Sequence, residues 1–145
     1  MSNELMNVDA QTTALVSNSL IFQTFAVSSP ADMAKIANAI NSPDSMADIP
    51  AGVLLYVCDI ICSHGVRKGR NGMLDTPCIN TVLLLEDGTS LFTQSDGIAR
   101  SIGTIVSLFP DCGRSQGLKY LPMIVEEKQL RNGNTLKTIT LKYDN

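Results

Sequence analysis

The most constraining feature of the sequence is the stretch 83–110, LLLEDGTSLFTQSDGIARSIGTIVSLFP. Its first half consists of two apolar runs joined by Asp-Gly, the strongest short-range signal for a β-hairpin. Its second half begins with Ser95, a favoured N-cap residue, and continues with apolar residues at helical spacing. That apolar stripe consists of Ile98, Ile102, Ile105, Val106 and Phe109. The stretch therefore predicts strand, tight turn, strand and one amphipathic helix that ends at Pro110.

Three further β-rich runs flank this stretch. Residues 49–66 are apolar on both faces, which predicts a strand long enough to bend and to serve two sheets. Residues 67–77 form a loop, because they are rich in glycine, asparagine and proline. After the helix, residues 118–130 and 135–143 predict two strands, and the RNGN sequence between them predicts a second hairpin.

The resulting order, β-β-β-α-β-β, is that of an OB-fold, a five-stranded Greek-key barrel. We therefore expect a mainly β fold with a helix between strands three and four that closes one end of the barrel. A further helix precedes the barrel, because Ser29 can cap it, Pro30 suits its first position and Asp32 suits its first turn. Its apolar side is predicted to consist of Met33, Ile36, Ala37 and Ile40. Pro43 is expected to end it.

The N-terminal region divides the chain into a flexible arm, residues 1–28, and an OB-fold domain with its preceding helix, residues 29–145. Residues 1–18 are polar and aperiodic, which indicates a mobile tail. Residues 20–27, LIFQTFAV, are apolar and are either a strand packed on the chain's own barrel or a docking segment. We expect docking on a neighbouring subunit, and hence self-association along a bound strand.

The formal net charge of the 145-residue chain is -3, and it is unevenly distributed. Residues 1–50 contain one cation against five acids, whereas residues 51–145 contain ten cations against nine acids. With 44% hydrophobic residues the chain has the composition of a folded globular domain. The chain as a whole is not basic, but its balanced C-terminal part can still carry a local basic face.

The cysteines indicate no metal site or other cofactor. Cys58, Cys62, Cys78 and Cys112 are separated by 3, 15 and 33 residues, unlike the C-x2-C pairs of zinc knuckles. The first residues do not resemble a signal peptide, and no run is long enough to span a membrane. We therefore expect a cytoplasmic protein with reduced thiols. His64 has no nucleophile beside it in any motif, and no other catalytic constellation is visible, so we do not expect an enzyme.

Cations gather in the two loops that flank the ligand face of an OB-fold. The loop between the first two strands carries Arg67, Lys68 and Arg70. The second hairpin carries Lys128 and Arg131, with Lys137 on the strand that follows. Such cations suit the phosphates of a single-stranded nucleic acid. The alternative is that they are ordinary solvated loop residues.

Two aromatic residues are candidates for stacking on bases, which is worth about 1–3 kcal/mol per base. Phe92 lies on the third strand and Tyr56 on the first. Because alternate strand residues face opposite sides, Phe92 could instead point into the barrel. Tyr56 could instead lie at the edge of the core.

Three segments resemble the small OB-fold single-stranded DNA-binding proteins of Gram-positive phages and conjugative plasmids or elements. They are AINSPDSMADIPAGVLLYVCDIICSHGV, TVLLLEDGTSLFTQSDGIARSIGTIVSLFP and RNGNTLKTITLKY, within residues 33–143. The shared features are a helix end before the first strand, an acid-Gly turn, a Ser-x-Gly helix start and a basic hairpin. Family members often have an acidic insert and more aromatic residues in the loops, whereas the first loop here is short and basic.

The resemblance implies a non-enzymatic protein that coats single-stranded DNA cooperatively during replication or transfer. The residues themselves leave a second interpretation open. The same barrel could be a protein-interaction subunit of a larger assembly that does not bind DNA directly. The weak net charge and the few aromatic residues favour this second interpretation, whereas the basic loops favour the first.

Overall fold

The structure, a computed structural model, describes residues 20–41 and 43–143. These residues form two α-helices and seven strands, and short 3-10 turns follow β2 and α2. In chain order the elements are β1 (Leu20–Gln23), α1 (Pro30–Asn41), β2 (Asp44–Ser45), β3 (Leu54–Arg67), β4 (Thr76–Leu85), β5 (Ser90–Thr93), α2 (Asp96–Leu108), β6 (Leu121–Gln129) and β7 (Thr135–Leu141).

The seven strands form one sheet in the order β2-β5-β4-β3-β6-β7, with β1 attached to β3. All neighbours are antiparallel except β2 and β5, which are parallel. The long strand β3 pairs with β4 along one edge, while its other edge pairs first with β6 and then with β1. The predicted long strand thus serves two partners along one edge, within a single sheet.

The prediction of a mainly β chain is confirmed, since the sheet is a curled open half-barrel accompanied by the two helices. The sequence predicted a closed barrel, whereas the observed sheet is open between β5 and β7. The edge of β5 pairs with β2, a two-residue strand that the sequence did not predict. The edge of β7 is covered by α2, where Ser101 Oγ accepts the Ile139 N–H at 3.2 Å. Covering a free strand edge with a helix satisfies some of its backbone groups.

The main core lies inside the half-barrel and receives the apolar side of α2. Ile98, Ile102 and Ile105 are buried there, with Val106 and Phe109 at the margin, as the helical spacing predicted. Ser95 caps the helix, because its Oγ accepts the Ile98 N–H at 3.2 Å. The α2 prediction is confirmed in its start, its apolar side and its end before Pro110.

A second, smaller cluster lies on the outward face of the sheet under α1. Ile36 and Ala39 are its buried helix residues, and they pack with Ile61 and Val82. The capping prediction is confirmed, because Ser29 Oγ accepts the Asp32 N–H. The predicted apolar side is partly wrong, since Met33, Ala37 and Ile40 are exposed and Ala39 is buried in their place. The reason is that α1 touches the sheet through a narrow line of residues spaced three apart, which lie on one side of a helix.

Residues 20–25 pack on their own chain. Strand β1 pairs with β3, with Leu20 opposite Ser63 and Gln23 opposite Ile61. Phe22 packs against the main core and Phe25 against the second cluster. The sheet of the same chain therefore covers Leu20, Phe22 and Phe25, whereas Ile21 and Val27 are exposed. Docking of residues 20–27 on a neighbouring subunit stays a prediction, as does the boundary after residue 28. The tail predicted for residues 1–18 lies outside the described residues.

No helix in the described part of the chain is long and apolar enough to cross a membrane.

Candidate nucleic-acid interface

The loop between β3 and β4 is an ordered hairpin. The Met73 N–H donates to the Arg70 carbonyl at 3.1 Å, and Asn71 and Gly72 have positive φ angles of 54° and 80°. Two successive residues with positive φ are the signature of a type I′ turn. The Gly69 N–H donates to Asp75 Oδ1 at 2.8 Å and holds the base of this turn. The loop therefore presents its side chains from a defined backbone.

The three predicted cations of this loop have different surroundings. Arg67 donates to the Gln94 carbonyl at 2.6 Å and lies 3.3 Å from Asp96 Oδ1, so it holds the start of α2. Lys68 is well exposed and its Nζ lies 3.6 Å from Asp75 Oδ2. Arg70 is exposed and forms no ion pair within residues 20–41 and 43–143. Arg70 is thus the cation of this loop that is most available to a phosphate.

The hairpin between β6 and β7 carries the second set of predicted cations. Its turn is closed by the Leu130 N–H, which donates to the Asn134 carbonyl at 2.8 Å. Lys137 Nζ lies 3.8 Å from Glu127 Oε1 across the two strands. Lys128 and Arg131 are exposed and have no ion-pair partner among the described residues. Two of the three cations here therefore remain available to an anion.

The first turn of α2 contacts both the base of the first basic loop and strand β7, which follows the second basic loop. Asp96 of this turn pairs with Arg67 at the base of the first loop. The next residue, Gly97, packs so closely against β7 that a Cβ there would lie 2.2 Å from the Lys137 carbonyl oxygen. Arg67 and the Lys137 backbone thus contact successive residues of one helix turn. The structure brings together these two predicted site residues, although they are 70 positions apart in the sequence.

No family model, curated protein or solved structure matches the chain. The likeness to single-stranded DNA-binding proteins accordingly stays a prediction from the quoted segments.

Phe92 lies on the outward face of β5, but that face is not open. Its neighbour Leu91 is buried in the main core, while Phe92 is half-buried in the second cluster. The outward faces of β4 and β5 are the surface on which an OB-fold holds its ligand. Here α1 lies over part of that surface, with Ile36 and Ala39 in the same cluster as Phe92. Phe92 therefore points neither into the barrel nor freely into solvent.

Tyr56 is exposed on the outward face of β3 and forms a pair with a residue that the sequence analysis missed. Its ring centroid lies 4.7 Å from that of Tyr120, with the ring planes tilted by 59°. Tyr120 lies just before β6, whose Pro122 is opposite Tyr56 in the sheet register. The sequence offered no local signal for this contact, because the pairing of β3 with β6 joins segments on either side of α2.

A buried charge network was also missed by the sequence analysis. Asp59 of β3 is 4% exposed, and its carboxylate contacts Lys35 Nζ at 2.6 Å and Arg114 Nη2 at 2.9 Å. Thr24 Oγ1 donates to Asp59 at 2.8 Å and accepts the Ile60 N–H. Arg114 also donates to the carbonyls of Cys58 and Thr24. Both carboxylate oxygens are occupied, so Asp59 links β1, α1, β3 and the turn after α2.

This network borders a cleft of about 600 Å³ between α1 and the turn that joins β4 to β5. Polar residues in its wall include Asn38, Asp44, Thr89 and Ser90. Asp59 is buried there and already pairs with Lys35 and Arg114. The arrangement therefore supports a structural role for the network.

The cysteines do not form a metal site in the described part of the chain. No three His, Cys, Asp or Glu side chains come together there as metal ligands would. The four cysteines, all within the described part, are free thiols. Burial raises the pKa of Cys62 and of Cys112 to about 11, which makes both poor nucleophiles at neutral pH.

Proposed function

We propose that this chain is a non-enzymatic, OB-fold-like protein that binds and coats single-stranded DNA during the replication or transfer of a mobile element. The strand pairing supports the fold part of this proposal. Strands β3, β4 and β5 pair in succession, β3 also pairs with β6, and β6 pairs with β7. Helix α2 lies between β5 and β6. These pairings are the ones expected of an OB-fold barrel in which the third and fifth strands, here β5 and β7, do not pair with each other.

The observation that carries the proposal is that the base of the first basic loop and β7, which follows the second basic loop, both contact the first turn of α2. Arg70, Lys128 and Arg131 supply exposed cations without ion-pair partners in the described part of the chain. The surface pairs that involve Lys68 and Lys137 are worth at most about 1 kcal/mol each, so a phosphate can replace the carboxylate at little cost. The two loops can therefore contact one sugar–phosphate backbone.

The position of α1 alters the expected path of the strand. Because α1 covers part of the outward face of β4 and β5, we propose that the bound DNA strand does not lie across Phe92. It runs from the first basic loop to the β6–β7 hairpin instead. Affinity on this path comes mainly from phosphate contacts, which act by releasing counterions.

A second candidate is a protein-interaction subunit, and one observation favours it. Met73 and Leu74, at the tip of the first basic loop, are 76% and 88% exposed. Large apolar side chains at this degree of exposure gain free energy when a partner covers them. In this alternative the loop inserts into another protein, and its cations make contacts at the rim of the interface.

Self-association along the strand remains part of the proposal, as does a cytoplasmic location. Leu20, Phe22 and Phe25 already pack on the chain's own sheet, so the contact has to come from exposed side chains such as Ile21 or from the residues before β1. Deleting residues 1–19 while keeping β1 is the appropriate test. Loss of cooperative binding to long strands, with unchanged binding to short ones, would place the contact in those residues. Unchanged cooperativity on long strands would contradict a role for them.

The function itself is tested with a labelled single-stranded oligonucleotide. We expect its fluorescence anisotropy to rise on addition of the protein and the recovered oligonucleotide to be intact on a denaturing gel. Absence of binding at low salt, together with capture of a protein partner that the double variant Met73→Ser/Leu74→Ser no longer binds, would favour the interaction subunit.

A further inference from the structure

We infer that Tyr56, Tyr120 and Tyr143 form a base-stacking site on the outward side of β3 and β6, distinct from the basic loops. This inference rests on the proposed function, because it names the surface that holds the bases of the single strand. It assigns the stacking role to a surface that α1 does not cover, in place of Phe92.

Two of the three tyrosines of the chain are in ring contact, and the third lies on a neighbouring segment. They come from β3, from the segment before β6 and from the segment after β7. Tyr56 and Tyr120 are in ring contact at 4.7 Å. Tyr143 follows β7, and the N–H of the preceding Lys142 donates to the Pro122 carbonyl at 2.9 Å, which places Tyr143 near the segment that carries Tyr120. Tyr56 is 41% exposed and Tyr143 is 48% exposed. Both residues are therefore partly accessible to a ligand.

The position of Tyr56 follows from the alternation of β3. Leu55 and Val57 are buried in the main core, so Tyr56 between them points to the outward side. The register places it opposite Pro122, whose carbonyl accepts the Lys142 N–H at 2.9 Å. This bond fixes the residue before Tyr143 beside the same part of β6. Sheet pairing therefore holds the backbone of the proposed stacking site in place. A rigid site loses little conformational entropy when a base stacks on it.

The charges around the tyrosines suit a nucleic acid. Lys119 and Lys142 are the chain neighbours of Tyr120 and Tyr143, and both are exposed. Neither forms an ion pair within the described ranges. Glu86, whose N–H donates to the Tyr56 carbonyl at 2.9 Å, and Asp87, which lines the same cleft as Tyr56, are acidic residues near Tyr56. A DNA single strand suits the exposed tyrosines and the two lysines, because its bases can stack on the rings while its phosphates approach Lys119 and Lys142.

Tyr56 and the second basic hairpin share one side of the sheet. Residues 122, 124, 126 and 128 alternate with the buried residues 121, 123 and 125 of β6 and therefore face outward. The distance along the strand from Pro122 to Lys128 is about 20 Å. At the spacing of about 3.4 Å between stacked nucleotides, this length corresponds to about six nucleotides. The site therefore lies within reach of the hairpin cations on one short strand.

The chain provides a direct measurement, because it contains no tryptophan and its tyrosine emission comes only from these three residues. We propose to titrate the full chain with an oligothymidylate of about ten nucleotides and with an abasic phosphodiester oligomer of the same length. Stacking should quench the tyrosine emission with the oligothymidylate and leave it nearly unchanged with the abasic oligomer. Labelled versions of both oligomers report binding independently through anisotropy.

Variants separate stacking from a structural role. Tyr56→Ala and Tyr143→Ala should each weaken oligothymidylate binding about 5- to 100-fold and leave binding of the abasic oligomer unchanged. Tyr56→Phe and Tyr143→Phe should restore affinity, because the ring is kept. Leu108→Ala, at an exposed apolar residue of α2, is the matched control and should bind as the parent does.

The outcomes distinguish this inference from the proposed function. Binding of oligothymidylate without quenching, or with no loss in the alanine variants, overturns the stacking site and leaves the proposed function standing. If an alanine variant does not fold, the quenching of tyrosine emission in the parent chain decides whether the tyrosines stack on bases. If neither oligomer binds, both the stacking site and the proposed function are overturned. Capture of a protein through these tyrosines, without DNA binding, would mean that this surface binds a protein partner.

Discussion

Lys35 of α1 donates a hydrogen bond of 2.6 Å to Oδ2 of Asp59 on β3. The Asp59 side chain is only 5% exposed, whereas that of Lys35 is 42% exposed. The Lys35 ammonium group also lies 4.1 Å from the centre of the Phe25 ring. This one side chain therefore links α1 to the sheet and to the segment after β1. Few other contacts hold α1, because only Ile36 and Ala39 of its residues are buried.

The Asp59 network predicts a clear difference between two substitutions. Asp59→Ala should lower the free energy of unfolding by about 2–4 kcal/mol, because it leaves Thr24 and two cations without their partner. Lys35→Met should cost about 1 kcal/mol, because Arg114 still pairs with Asp59 and Lys35 is half-exposed. Chemical denaturation measures both values, and Lys119→Ala is the control for removal of a surface cation. An Asp59→Ala variant as stable as the parent would show that the network does not hold the fold.

Two glycines of α2 provide a matched pair for the packing of this helix against β7. Gly97→Ala should destabilise the chain by more than about 1 kcal/mol, because its Cβ would lie 2.2 Å from the Lys137 carbonyl oxygen. Gly103→Ala, with nothing within 4 Å of the new Cβ, should stabilise it by about 0.4–1 kcal/mol. Thermal unfolding of both variants tests the contact. Equal effects of the two substitutions would mean that α2 does not press against β7.

The carboxylate of Asp32 predicts part of the acid sensitivity of the chain. The Ser28 backbone N–H and then the Ser29 hydroxyl donate to it and lower its pKa below the usual 3.8. A lowered folded-state pKa contributes stability above the unfolded-state value, and this contribution is lost as the pH falls through the folded-state pKa. The free energy of unfolding should therefore decline below about pH 4, and less steeply in Asp32→Asn. An identical acid profile for the two proteins would contradict this assignment.

The cysteines predict a defined order of thiol labelling. Cys62, Cys78 and Cys112 are buried and Cys58 is half-buried, so Cys58 should react first in the native chain. In denaturant all four should react. Because burial raises the pKa of Cys62 and Cys112 to about 11, their contribution to stability is complete below the unfolded-state value of 9.0. It is lost as the pH rises toward about 11. Rapid labelling of three thiols at neutral pH would contradict the described core.

The sequence was sufficient for those parts of the fold that depend on neighbouring residues. The Ser29 and Ser95 caps, the Asp87–Gly88 turn and the apolar side of α2 all follow from short-range rules. Strand β2 could not be predicted in the same way, because a two-residue strand after Pro43 has almost no propensity signal of its own. Its existence depends on the edge that β5 leaves open.

The site was less predictable than the fold, because it depends on contacts between distant segments. The cations of both loops could be named from composition, but their ion pairs with Asp75, Asp96 and Glu127 follow from tertiary packing. The burial of Phe92 follows from the position of α1 over β5. The contact between Tyr56 and Tyr120 follows from the register of β3 and β6, which no local pattern reports.

The ion pairs of the basic residues predict unequal effects on DNA binding. Arg70→Ala, Lys128→Ala and Arg131→Ala should each reduce the salt slope by about 0.7 without changing the stability of the chain. Arg67→Ala should also lower the melting temperature, because Arg67 holds the Gln94 carbonyl and Asp96. Anisotropy titrations across salt, paired with thermal unfolding, measure both effects. A triple variant of Arg70, Lys128 and Arg131 with the parent's salt slope would show that these cations do not contact phosphates.

The most direct test of single-strand binding compares one labelled oligonucleotide alone and annealed to its complement, titrated with the full chain at several salt concentrations. Our account predicts tighter binding of the single strand at every salt concentration, because a duplex hides the base faces that the tyrosines would contact. It also predicts that the logarithm of the affinity falls linearly with the logarithm of the salt concentration. Equal affinity for the duplex and the single strand would contradict it and would indicate a general polyanion binder.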